Sequence, residues 1–512
     1  MWMPHYSRLI AVPLILLASL RLVAAEAPKL SPEVESFIRV RSPTVILTHV
    51  RVIDGTGSPA VEDRNVVIEN GLISKIEAAN GATANGATAN EVTANGVVAN
   101  DAPPSSDTTV LDLHGYTVMP GIVGMHDHLY YIARPNFEPG RSPPADSPLL
   151  VPQMTFSSPR LYLAGGVTTM RTTGSVEPYA DLNLRDQIDA GMLPGPHIDV
   201  TAPYLEGKSP LFIQMHQLQS PAEAKQFVDY WAGVGATSFK AYMHITRAEL
   251  KAAIAAAHKH GLKVTGHLCS VTYPEAAEMG IDDLEHGFMV NTQLDTGKEP
   301  DVCTESGGDE TVKKMNPEGP EAAKLIALLV SHHVAVTSTL PVFETFLPGR
   351  PPLQTRMLDA LTPEAREAYL YARNRRYEKP VPDAALLLAN AMAMERRFVA
   401  AGGLLLAGPD PTGNGGILPG FGDQREIELL VEAGFSPVEA IRIATLNGAI
   451  YEDKQASIGS IEPGKHADLV VVRGDPSQRI ADVENTEIVF KDGVGYDPAK
   501  LLNSVASRYG EY

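Results

Sequence analysis

Met119-Pro120-Gly121-Ile122-Val123-Gly124-Met125-His126-Asp127-His128 decides how the rest of the chain is read. An apolar run ends in two histidines one residue apart. On a β-strand, residues i and i+2 point to the same side. Both imidazoles can therefore reach one point, as a metal-ligand pair must. Alone, the pair balances evenly against two surface or core histidines, so the later chain has to supply the remaining ligands.

Upstream, short strands alternate: Thr44–Ile53, Asn65–Glu69, Leu72–Ile76 and Val110–Leu113. Asp54-Gly55 and Asn70-Gly71 have hairpin-turn chemistry. Between them and the histidine pair, Ala-Asn-Gly-Ala-Thr recurs and decays across residues 79–106, which predicts a low-complexity surface insertion. Downstream, the pattern changes to alternating strands and helices. Candidate strands are Gly166–Arg171, His197–Thr201, Thr237–Tyr242, Leu262–His267, Asp283–His286, Val334–Ser338 and Leu404–Asp410. With the strand ending at His126 they make eight. Ser220/Glu223, Thr246/Glu249 and Thr272/Glu275 have capping-box spacing at helix starts. After the eighth unit, strands return at Ile461–Val472 and Glu487–Lys491. The expected architecture is α/β, a (β/α)8 TIM barrel over residues 119–452 inserted in a small composite β-sandwich domain of residues 44–118 and 453–497. Residues 26–43 read as a leader and 498–512 as a C-terminal tail.

The chain has 512 residues, 44% of them hydrophobic and 20% charged, as befits a globular protein. A net charge of −19 without any basic run argues against a nucleic-acid partner. No strand is followed by Gly-x-Gly-x-x-Gly, so dinucleotide binding has no support. His5 and Arg8, the apolar run Leu9–Leu17 and the small residues Ala24-Ala25 form a signal-peptide pattern with cleavage after Ala25. The expectation is a secreted or periplasmic protein with no membrane anchor after cleavage. Cys269 and Cys303 are the two cysteines; one bridge and two free thiols remain equally open.

In a TIM barrel the active site lies at the C-terminal ends of the strands. Those ends carry His126 and His128, then Lys240, His267, His286 and Asp410. Histidine and carboxylate suit zinc or a similar divalent ion. A lysine fits beside them if its amine has added CO2 to become a carbamate, in effect a carboxylate able to bridge two cations.

At this point a resemblance becomes specific. Pro-Gly-(x)3-Met-His-Asp-His, Gly-Val-Thr-Thr-Met-Arg, Phe-Lys-Ala-Tyr, Val-Thr-Gly-His, Leu-Glu-His-Gly and Leu-Leu-Ala-Gly-Pro-Asp resemble the amidohydrolase superfamily. Residues 436–448 and 459–469 are similar to its imidazolonepropionase-like and prolidase-like branch. The resemblance implies two divalent ions, zinc first, with His126, His128 and Asp410 on the inner one and His267 and His286 on the other. Lys240, as N6-carboxylysine, would bridge them with a hydroxide. Asp410 would shuttle the proton and Tyr242 would donate to the oxyanion. Arg171 at the end of the second strand and Gln424, near where relatives carry a histidine, are candidate substrate contacts. The implied activity is amide hydrolysis of a small molecule, dipeptides or N-acyl amino acids first, in a homo-oligomer. A cyclic-amide, imidazolone or lactone hydrolase, and a non-catalytic barrel that only binds, are the alternatives.

Overall fold

The computed structural model describes residues 29–79, 90–93, 107–132, 151–412 and 417–510. The signal-peptide pattern and most of the low-complexity insertion lie outside the described residues. Among the described residues, seven strands come first: β1 (Ile38–Val40), β2 (Thr44–Val52), β3 (Val61–Glu69), β4 (Leu72–Ala78), β5 (Asn90–Thr93), β6 (Thr108–Asp112) and β7 (Tyr116–Pro120). Eight follow in the middle of the chain: β8 (Ile122–Gly124), β9 (Val167–Arg171), β10 (His197–Asp199), β11 (Ser238–Ala241), β12 (Lys263–Gly266), β13 (Asp283–Glu285), β14 (Ala335–Ser338) and β15 (Leu405–Ala407). The last are β16 (Leu469–Arg473), β17 (Thr486–Lys491) and β18 (Val494–Tyr496).

The first and last groups form one sheet. Its order is β1-β18-β17-β16-β7-β2-β3-β4, with β6 pairing β2 and β5. The composite character expected from the sequence is present, but as a single hydrogen-bonded sheet of ten strands rather than two separate ones. Alternation along β16 explains why it is buried almost throughout. Leu469 and Val471 join the sheet's own core with Leu47, Ile68 and Phe490. Val470 and Val472 face the other way, into the large core shared with the helices and parallel strands. The turns Asn70-Gly71 and Asp492-Gly493 both hold two consecutive residues at positive φ, the backbone of a tight hairpin. Asp54-Gly55 does not make such a hairpin. Asp54 Oδ1 instead accepts from Thr56 N–H at 2.8 Å, starting a longer connection between β2 and β3.

Two further boundaries differ from the sequence reading. The expected leader is folded over residues 32–40: Ser31 caps the helix Pro32–Ser36, and β1 pairs with β18. The expected tail is folded too. Asp497 caps the helix Pro498–Ser504; Leu501 within it is buried, as are Val505 and Tyr509 in the turn that follows.

The middle strands are all parallel, in sheets ordered β10-β9-β8 and β11-β12-β13-β14-β15. A parallel bridge between Thr201 and Ser238 links β10's extension to β11. On the other side, Met125 N–H donates to Ala407 O at 2.9 Å and Asp410 N–H to His126 O at 3.0 Å. Gly408 is required there, because a Cβ would collide with the His126 backbone. Helices fill the connections. Thr246/Glu249 and Thr272/Glu275 form complete capping boxes. Ser220 caps its helix, but Glu223 accepts from Gln219 N–H instead of closing the box.

At the end of the strands opposite the histidine pair, His197 ties β10 to the sheet. Its Nε2 lies 3.0 Å from Asp492 Oδ2 and its Nδ1 3.6 Å from Asp189 Oδ1. Burial and Lys491 oppose a charge on His197, yet Asp189 and Asp492 raise its pKa to about 9. The unfolded value is about 6.5. The stabilisation from this ion pair is therefore complete below about pH 6.5 and lost as pH rises through 9. His197→Gln should lower the melting temperature at pH 6, and the gap to wild type should close by about pH 10. Calorimetry across that range checks it; a pH-independent gap would contradict the assignment.

Candidate metal centre

The strand ends bring His126, His128, Lys240, His267, His286 and Asp410 together, as the sequence order led us to expect. Three of the histidines are oriented in the same way. His126 Nδ1 is 2.6 Å from Glu285 Oε2, His128 Nδ1 donates to Thr172 O at 3.0 Å, and His286 Nδ1 is 2.9 Å from Thr339 Oγ1. With Nδ1 engaged outward, Nε2 points inward. His128 Nε2 lies 3.0 Å from Asp410 Oδ1, and His126 Nε2 lies 3.6 Å from the same oxygen and 3.1 Å from Lys240 Nζ. His286 Nε2 is buried with no hydrogen-bond partner. The His267 ring sits 4.4 Å from that of His286 and 4.9 Å from that of Tyr242.

His286 (φ 68°) and Asp410 (φ 54°) hold left-handed backbone conformations that residues with a Cβ adopt at a cost. Such strain, at two of six converging residues, is where function rather than stability sets the geometry.

Electrostatics favours lone pairs. Burial, reinforced by Lys240, keeps His126 well below its ordinary pKa and takes His267 down to about 3. Burial lowers His128 and, with the neighbouring imidazoles, His286 as well. Neutral imidazoles are the form that ligates metals. Burial resists a charge on Asp410, but His126, His128 and Lys240 outweigh it and keep the carboxyl well below its usual range. Burial brings Lys240 down to about 8, against the pull of Glu285 and Asp410. A neutral amine is the form that adds CO2. Among the described residues, His126, His128 and Asp410 offer ligand atoms within 4.8 Å of one another. The unpartnered His286 Nε2, the inward Nε2 set and the ionised Asp410 fit a divalent ion.

Tyr242 follows β11 directly and is buried in an aromatic wall with Tyr130 and Tyr204, whose hydroxyls are 2.7 Å apart. Burial, with Glu206 and Asp410 nearby, keeps the Tyr242 phenol protonated. Lys240 Nζ lies 5.9 Å from its ring centre.

Two expected substrate contacts are corrected. Arg171 is fully buried beneath the centre: its guanidinium donates to Met125 O, Asp283 Oδ2 (2.8 Å) and Glu285 Oε1 (3.0 Å). It neutralises the carboxylate that orients His126. Gln424 lies in the helix Phe421–Glu432 and donates to Gly165 O at 3.0 Å and Thr486 Oγ1 at 3.1 Å. It fastens that helix to β17 and the end of the helix Ser157–Ala164.

Glu285 was missed in the sequence. Strand alternation sends adjacent residues to opposite faces. The left-handed turn at His286 breaks that rule and lets both neighbours serve the centre.

The long connection after β13 reaches the site through a covalent tie. Cys303 within it forms a disulfide with Cys269, two residues past His267, which resolves the open cysteine question. Phe343 in the connection after β14 packs 5.8 Å from the His286 ring.

A second group, His197, Asp468 and Asp492, also places ligand-type atoms within 4.8 Å. There both His197 nitrogens face carboxylates, both Asp492 oxygens face histidines, and the Lys491 ammonium acts on the whole group. It is an ion-pair network joining the sheet to β10.

Among solved structures, a putative prolidase from Bifidobacterium longum is 22% identical, covering 90% of this chain and 98% of that one with a TM-score of 0.61. A Xaa-Pro dipeptidase with methionine bound in its active site is 20% identical over 89% of this chain and 100% of its own, TM-score 0.60. Bottromycin amidohydrolase is 20% identical over 94% and 95%, TM-score 0.63. At these identities the likeness is one of fold. No curated protein matches the sequence. The amidohydrolase family profile matches residues 117–304 and 421–495, about half the chain, across the sheet's inner strands and the strands that carry His126, His128, Lys240, His267 and His286. The chain belongs to the amidohydrolase family.

Proposed function

We propose that this family member is an exported binuclear metal hydrolase that cleaves the amide bond of dipeptides or N-acyl amino acids, on strands β8–β15 closed as a (β/α)8 barrel. The family is metal-dependent and acts on amide bonds. The observation that carries the reading is the inward turn of His126 and His128 Nε2 onto Lys240 and Asp410, with the His286 ring beside His126 and its buried Nε2 unpartnered. Lys240 Nζ stands 3.1 Å from the inward nitrogen of His126, so a carbamate on that amine would place an anion where the histidines could share cations with it.

His126, His128 and Asp410 would hold one ion, His267 and His286 the other, with carboxylated Lys240 between them; nitrogen and oxygen donors suit zinc. Bound divalent ions lower the pKa of water and polarise a carbonyl. The chain's own residues do the rest. Asp410, held ionised, accepts a proton and passes it to the leaving amine. Tyr242, held protonated, donates a hydrogen bond toward the negative charge that develops on the carbonyl oxygen. The Cys269–Cys303 disulfide supports export, since such bonds persist in oxidising compartments. The prolidase and dipeptidase among the structural neighbours support the substrate class.

The zinc-loaded chain should turn over a panel of dipeptides and N-acyl amino acids, bind two divalent ions, lose activity to a chelator and regain it with zinc. Fewer than two ions per chain, with no hydrolysis of any amide or ester, would overturn the reading. Turnover confined to cyclic amides or lactones would move the substrate class alone.

A further inference from the structure

A dipeptide or N-acyl amino acid carries a free carboxylate beside the bond to be cut. With Arg171 committed to Asp283 and Glu285 beneath the centre, another group must meet it. The turn after β11 offers one. His244 lies four residues beyond Lys240, and its side chain is 34% exposed. The turn is fixed from both flanks. Tyr242 N–H donates to Leu205 O, and Ser270 N–H, just past His267, donates to Met243 O. His244 thus stands two residues past Tyr242, on a turn held on one flank by Leu205 and on the other by Ser270, three residues past His267.

Beneath it is Glu206, fully buried. Glu206 Oε1 accepts from Gly207 N–H at 2.6 Å and His244 N–H at 2.8 Å. Oε2 has no hydrogen bond and faces His244 Nδ1 at 3.5 Å. A buried carboxylate oxygen with no partner is costly, and the cation that faces it is the partly exposed His244 ring. Glu206 raises the pKa of His244 against the effect of burial. Among the described residues, no hydrogen bond or ion pair engages His244 Nε2.

We propose that His244 binds the free carboxylate of the substrate's leaving amino acid, and that Glu206 is the positioning residue that holds the ring for it. The inference rests on the substrate class proposed above and names the group that selects it. A ring with Nδ1 turned to an anion presents Nε2–H outward, and a carboxylate accepts it as a charge-assisted hydrogen bond. Neutral amides or esters lacking the carboxylate leave Glu206 and His244 as they are.

The test compares each N-acetyl amino acid with its C-terminal carboxamide on the full zinc-loaded chain. Wild type should prefer the free acid. His244→Ala should raise KM for the acid by about 10- to 100-fold, the scale of one hydrogen bond to a charged group, with kcat little changed and the carboxamide unaffected. His244→Arg should restore the preference. Glu206→Gln should erode it in the same direction. Calorimetric binding of N-acetyl-leucine to the metal-free chain should weaken in step, independently of turnover. An unchanged acid-to-carboxamide ratio in His244→Ala, or a wild type that hydrolyses acid and carboxamide equally, overturns this inference while leaving amide hydrolysis intact. A wild type that hydrolyses neither overturns both.

Discussion

Lys240→Ala is expected to lower divalent-ion affinity more than ~100-fold and to take hydrolysis down with it, since losing a residue that only orients a ligand already costs ~10–100-fold. The side chain is buried, so no other residue can swing into its place. His126 Nε2 would face an empty volume where Lys240 Nζ stood at 3.1 Å. Formate, acetate or propionate should enter that volume and restore part of the activity and of the second ion. Metal analysis and turnover with and without the acids check this. Two ions per chain and unaltered turnover in the variant would remove the carbamate from the proposal.

The second large effect is on stability. Arg171→Met leaves Asp283 and Glu285, both fully buried, without their cation. Removing one partner of a buried ion pair costs about 3–5 kcal/mol, and a fall of several degrees in melting temperature follows. Burial, together with Glu285, already raises the Asp283 pKa to about 6 in spite of Arg171. Without the guanidinium Asp283 favours its protonated form further. A folded pKa above the unfolded one means that the folded state binds the extra proton, so lowering pH relieves the variant. The stability gap to wild type should narrow from pH 8 to pH 5, as thermal melts would show. A substrate-binding arginine would behave differently, keeping the melting temperature and raising KM.

That contrast marks where the sequence was legible and where it was not. All eight parallel strands sit where alternation and turn chemistry placed them, trimmed by a few residues. The converging side chains followed from one rule, that a barrel presents its strand ends at one rim. The rule fails one layer down. Arg171 ends β9 like a rim residue, yet its length carries the guanidinium inward to two carboxylates that become neighbours only when β9 and β13 face each other. Gln424 occupies a helix whose buried face turns to Gly165 and Thr486, a contact no local pattern announces. The folded termini were hidden for the same reason. The partner of β1 is β18, at the opposite end of the chain.

The pairing of Pro120 with Leu469 has a kinetic consequence. Everything between them, including every residue of the candidate centre, is one loop closed by the β7–β16 ladder. Loop-closure entropy grows only slowly with length, so the cost of that ladder is modest at equilibrium. In time it is large, because non-local contacts are made last. A chain emerging from the ribosome can assemble the parallel strands, but it cannot complete the sheet until β16, β17 and β18 have followed. Val470 and Val472 face the core shared with the parallel strands and helices. A nascent chain stopped before Leu469 would therefore expose the apolar face of that core, and such truncated chains would be prone to aggregate rather than simply to lack a domain.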